Sequence, residues 1–166
     1  MRYLLIFILA SIFLLFGCPN YLFEHNLLVA LTYQFFHVNI FHLIGNCLSL
    51  WYLFRRTPSR TTSRLLRELC IGLIIATISY GVATMPVVGI SNMLFAIMGL
   101  RTPPFSSPWW KASSTKTFFI ITLLMILVPK ISAITHIAAF VIGVLVSAAC
   151  RTFRNLSDDY KHATYK

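Results

Sequence analysis

The sequence predicts an all-α polytopic membrane protein, and three observations lead there. Of 166 residues, 58% are hydrophobic and only 11% are charged, where a soluble domain carries about 25% charged residues. The apolar residues gather into six runs, at 3–17, 35–54, 69–85, 88–100, 117–129 and 134–150. Basic blocks alternate with those runs. A helix crossing the roughly 30 Å hydrocarbon core needs about 20 residues, so the length accommodates about six spans. The expected organisation is one membrane domain over residues 1–150, followed by a short basic tail, 151–166.

The formal charge of +10 could belong to a nucleic-acid binder, but its distribution argues for membrane topology instead. Arg and Lys stand at position 2, within 55–67, within 101–116 and in the tail, with only Lys130 elsewhere. Alternation of this kind is the positive-inside pattern. It places both termini and the basic loops in the cytoplasm, makes the lipid bilayer the principal partner, and leaves no role for nucleic acid. Runs two, four and six then enter the membrane from outside.

The first run, MRYLLIFILASIFLLFGC, shares features with a secretory signal. Phe16 is bulky where processing sites carry small residues, so a retained first span is expected. Residues 18–34 are semi-apolar and aromatic and should lie in the membrane interface. Pro58, Pro103 and Pro104 break helices in the inner loops, and Trp109 with Trp110 fits an interfacial aromatic belt. Run four is short: Ser91 to Arg101 gives about 15 Å of helix. Ser91 should therefore lie part-way into the bilayer, reached by extended backbone at 86–90, which is tolerated at depth only beside protein or a wet cavity. Run five, 117–129, is also short and implies tilting or local thinning. Cysteines 18, 47, 70 and 150 are isolated and read as small packing residues without a disulfide framework.

Against this background three polar clusters stand out: His37, His42 and Asn46; Ser91; and His136. Each lies near the outer start of runs two, four or six. Ionisable groups inside membrane segments are costly and are functional candidates by default. His42 and Asn46, four apart, share one helix face. His37 is about 140° from His42 by helical periodicity and belongs to the preceding loop or first turn. Ser91 after Gly89 fits an N-cap; it equally fits a nucleophile whose own amide, in a first helical turn, is free to donate. His136 is the one base in run six, and no carboxylate is placed to orient it. His and Asn also act as hydrogen-bonding glue between membrane helices. Gly143, seven residues after His136, and Gly99 in run four offer small surfaces for close helix approach. The histidines follow no H-E-x-x-H spacing and lack acidic partners, so neither metal nor cofactor is expected.

These motifs resemble those of the rhomboid family. HVNIFHLIGN resembles its H-x4-H-x3-N pattern, GISN its G-x-S-G serine motif, and HIAAFVIG its H-x2-G-x3-G motif, across roughly residues 1–150. The resemblance implies a six-helix bundle and a serine endopeptidase that cleaves single-span membrane proteins near the outer face of a bacterial cytoplasmic membrane. It implies Ser91 as nucleophile and His136 as general base, with His42, Asn46 and the Ser91 amide as oxyanion hole. His37, Gly89, Phe95 and Gly143 take supporting places. Two positions depart from the pattern: Asn92 replaces the glycine after the serine, and Ala139 the first glycine of the last motif. A β-carbon at 92 is expected to disturb the oxyanion geometry, and one at 139 to hold the sixth helix off the fourth. No Trp-Arg pair stands in the outer loop. The rival readings are an inactive rhomboid-like protein that retains transmembrane clients, and a structural or transport protein.

Overall fold

The computed structural model describes residues 2–18, 26–55, 62–84, 87–102, 116–117, 120–121 and 132–164. Among them the regular structure is helical: α1 (Arg2–Phe16), α2 (Leu27–Thr32) with a 3-10 turn at Tyr33–Phe35, α3 (Ile40–Arg55), α4 (Thr62–Ser79) with a 3-10 turn at Tyr80–Val82, α5 (Ser91–Arg101) and α6 (Ala133–Thr164). Pro58, Pro103, Pro104, Trp109, Trp110 and most of 117–129 lie outside the described residues.

Two helices are long and apolar enough to cross a membrane, Leu65–Val82 and Ala133–Ser157. A third span results if Leu27–Phe35 and Ile40–Phe54, bent by 80° at their junction, count as one. The shorter Tyr3–Phe16 is apolar as well. Large hydrophobic side chains cover the outside: Phe41 is 82% exposed and Leu14 80%. Exposed apolar surface on this scale marks contact with a membrane or a partner.

Asparagines set the two helix starts around the bend. Asn26 Oδ1 accepts from the Val29 amide and caps α2. Asn39 Oδ1 accepts from the His42 amide at 2.9 Å and caps α3. The helix therefore begins at Ile40 and not at position 35, where the apolar run begins, and His37 falls in the preceding loop.

The short α5 forms the axis of the molecule, buried at every residue from Ser91 to Gly99. Met93, Leu94 and Ile97 pack with Leu9 of α1, Leu43, Leu50 and Phe54 of α3, and Ala76 of α4. Phe95, Ala96 and Met98 pack with Ile75 of α4 and with Ala139 and Phe140 of α6. A smaller layer of Val29, Ala30, Tyr33, Tyr80 and Val87 closes one end.

Glycines fix the closest helix approaches. A Cβ on Gly99 would collide with the Phe140 carbonyl, and one on Gly143 with the Ala96 carbonyl. Lipid gives helices no hydrophobic reason to associate, so such backbone contact is what holds α5 to α6. Ala139 is fully buried at this junction and the helices still meet at the two glycines. The expected separation at 139 does not occur, because the point of closest approach lies one turn further on.

At the end of α5 remote from Ser91, Arg101 ties three helices together. Its Nη2 lies 2.6 Å and its Nε 3.1 Å from Glu68 Oε2 on α4. Its Nη1 donates to the Leu53 carbonyl of α3 at 2.7 Å. Of the cysteines, Cys47 packs against the core, whereas Cys70 and Cys150 are exposed and are not packing residues.

Candidate active site

The N-terminal turns of α3, α5 and α6 meet at one end of the bundle, bringing Ser91 and His136 into contact. Ser91 Oγ lies 2.7 Å from His136 Nε2, and both residues are buried. The other ring nitrogen, Nδ1, lies 2.6 Å from the Ser132 carbonyl oxygen. A carbonyl only accepts, so Nδ1 carries a proton, and in the neutral imidazole that proton is the ring's single one. Nε2 then presents its lone pair, and the Ser91 hydroxyl donates to it. The role a carboxylate often plays, fixing tautomer and ring orientation, falls here to a backbone oxygen one helical turn away. Phe95, one turn after Ser91, packs edge-on to the imidazole at 4.8 Å between ring centroids.

Ser91 is not the N-cap of α5. The cap is Ile90, without a side-chain hydrogen bond, and Ser91 is the first helical residue. The first helical bond at this end runs from the Leu94 amide to the Ile90 carbonyl, so the amides of the first turn precede the ladder. Gly89 and Ile90 form a turn and not the extended backbone expected: Gly89 has φ +96° and Ile90 φ −70°, ψ −3°. The Gly89 amide donates to the Tyr33 carbonyl at 3.0 Å, which holds the turn against the outer layer.

His42 and Asn46 converge on that turn. A Cβ on Gly89 would stand 2.7 Å from His42 Cε1 and 2.8 Å from Asn46 Nδ2. Only glycine fits both the positive φ and this approach. Asn46 Nδ2 is buried and has no hydrogen-bond partner among the described residues, so a donor is held in readiness beside the serine turn. His37 is fully buried and packs edge-on against His42 at 5.2 Å. Gly143 stands two turns along α6 from His136, at the contact with Gly99.

Two residues at this end carry no signal that the motif reading used. Tyr33 Oη donates to the Ala76 carbonyl at 3.1 Å and accepts from Asn92 Nδ2 at 2.9 Å. Thr135 Oγ1 lies 3.3 Å from Asn92 Oδ1 and 3.0 Å from the Ser132 carbonyl. The Asn92 side chain is therefore engaged with Tyr33 and Thr135. A polar Thr immediately before His136, within an apolar run, was the cue available in the sequence.

Fold and site together define a helical membrane protein with a serine and a histidine enclosed among its helices. The chain belongs to the rhomboid family: the model of the Rhomboid domain matches residues 24–153, most of its length. Members of that family are generally intramembrane serine proteases acting on transmembrane substrates, and inactive homologues exist among them. No curated protein matches the chain.

Proposed function

We propose that this chain is an intramembrane serine endopeptidase that hydrolyses peptide bonds of single-span membrane proteins with a Ser91–His136 dyad. The observation that carries the reading is the 2.7 Å contact between Ser91 Oγ and a His136 imidazole whose Nδ1 faces the Ser132 carbonyl. A serine hydroxyl needs such a base to attack at neutral pH.

His136 Nε2 takes the hydroxyl proton as Ser91 Oγ bonds to the scissile carbonyl carbon. The resulting oxyanion accepts from the Ser91 amide, His42 and Asn46. His136 returns its proton to the leaving amine, and the C–N bond breaks. Water then gives a proton to the same imidazole and bonds to the acyl carbon; the C–Oγ bond breaks, and Ser91 Oγ takes the proton back as the acid product leaves. A substrate helix hides its carbonyls in its own hydrogen bonds, so the segment must unwind at the site, which favours small or helix-breaking residues near the cut. No cofactor enters this chemistry.

The chain sits in this reading as a six-span protein of a bacterial cytoplasmic membrane, with both termini in the cytoplasm. With α5 only 11 residues long, about 16 Å at 1.5 Å per residue, its serine end lies within the bilayer and opens to the outer face. Labelling of purified protein with a fluorophosphonate serine probe tests the proposal. The wild type should label at Ser91, and Ser91→Ala and His136→Ala should not. A folded wild type that does not label would instead indicate a non-catalytic binder of transmembrane clients.

A further inference from the structure

Asn92 is a fully buried amide in the first turn of α5, next to the serine. A buried amide without partners costs several kcal/mol, on the order of 2–7, so its hydrogen bonds decide what its presence does. Tyr33 settles them. Its hydroxyl faces the Ala76 carbonyl, which only accepts, and so donates there; its oxygen is left to accept from Asn92. With Tyr33 donating to the Ala76 carbonyl, which also accepts from Ser79 Oγ, the Nδ2 group of Asn92 faces Tyr33 and Oδ1 faces Thr135.

Thr135 Oγ1 has one proton and two acceptors within reach, Asn92 Oδ1 and the Ser132 carbonyl. That carbonyl is also the acceptor of His136 Nδ1–H. Without Asn92 Oδ1, the Thr135 hydroxyl has only the Ser132 carbonyl to bond, and the tie that holds the start of α6 to α5 is lost. With Asn92 in place the proton is shared, and the Thr135 side chain is tied to α5 as well as to its own helix. The chain Ala76–Tyr33–Asn92–Thr135–Ser132 thus links α4, the 3-10 turn before α3, α5 and the start of α6, and ends on the atom that sets the tautomer of His136.

We infer that Asn92 is a positioning residue for His136, acting with Tyr33 through Thr135 on the Ser132 carbonyl. The inference rests on the proposed protease activity and adds to it a device that stands where the motif has glycine. None of the three side chains touches the reacting atoms, so the effect appears in turnover and not in substrate binding. A misplacement of about 1 Å at a catalytic group can cost about a hundredfold in rate.

The test uses full-length protein in liposomes, with Thr135→Val, Thr135→Ser, Tyr33→Phe and Asn92→Ala. It reads the rate constant of fluorophosphonate labelling at Ser91, and kcat and KM for a single-span substrate. Thr135→Val and Asn92→Ala should slow labelling and kcat by about ten- to a hundredfold with KM unchanged. Thr135→Ser, which keeps the hydroxyl, should recover most of the loss. If Thr135→Val or Asn92→Ala does not fold, Tyr33→Phe keeps the ring, removes only the hydroxyl, and should slow labelling in the same direction. Labelling and kcat equal to wild type in the folded variants, with only thermal stability lowered, would overturn the inference and leave these residues as helix glue. A failure of the protease reading is distinct: the wild type itself would not label, and the inference would fall with it.

Discussion

Gly99 and Gly143 face each other across the α5–α6 contact, each so placed that an added Cβ would stand 3.1 Å from the other's Cα and strike a backbone carbonyl. Backbone cannot move aside as a flexible side chain does. Gly143→Ala should push α6 from α5, costing about 1–3 kcal/mol of stability. His136 rides on the same helix, two turns from the contact, so Ser91 labelling should slow as well. Thermal unfolding in detergent alongside probe labelling checks both.

Asn46 holds a buried, unpartnered Nδ2 group beside the Gly89 turn. Under the proposed mechanism Asn46→Ala should lower kcat by about 10²–10³, the typical loss on removing one oxyanion donor. Folding should be little affected, since no intramolecular bond of that nitrogen is lost. Unchanged turnover of a single-span substrate would remove Asn46 from the oxyanion hole.

Gly89→Ala combines two penalties. Its φ of +96° lies where a side chain is strained, at about 1–2 kcal/mol for a left-handed residue. The new methyl would also press on His42 and Asn46. The variant should fold with reduced stability and lose most of its turnover, whereas Gly81→Ala, with open space around it, should retain both. Comparing the two variants by probe labelling and thermal melt separates the local crowding from a general effect of replacing glycine.

Arg101 and Glu68 are 10% and 14% exposed, and their 2.6 Å contact lies far from the dyad. Removing Glu68 takes the carboxylate from a largely buried guanidinium that keeps its bond to the Leu53 carbonyl: Glu68→Leu alone should cost up to about 3–5 kcal/mol. The double variant Glu68→Leu/Arg101→Met should recover much of that loss, because no unpaired charge remains. A double-mutant cycle of unfolding temperatures measures the difference; equal losses in single and double variants would mean that the Leu53 carbonyl contact, and not Glu68, holds Arg101.

How much of this was legible in the chain depended on the signal. Spacing and order sufficed to bring Ser91, His136, His42 and Asn46 to one end, because each marks the start of an apolar run and the basic blocks fix the direction of those runs. Hydropathy could not place the start of α3, which a single hydrogen bond from the His42 amide to Asn39 decides within an apolar stretch. It also could not find the end of α6. The apolar run stops at 150, yet the helix continues to Thr164, since a loss of apolarity does not by itself end a helix. Nor does apolarity distinguish residues facing protein from those facing lipid, as both environments favour the same side chains. Tyr33 was invisible for that reason: an aromatic in an interfacial segment reads as an anchor, and only the fold brings its hydroxyl to Asn92.

Because every residue from Ser91 to Gly99 is surrounded by protein, the serine takes its depth from neighbouring helices and has no direct grip on lipid. A thicker or thinner bilayer acts first on the outward-facing residues of α1, α3, α4 and α6. The Ser91 hydroxyl is thus mounted on an inner post, and the membrane can shift it only by moving the walls.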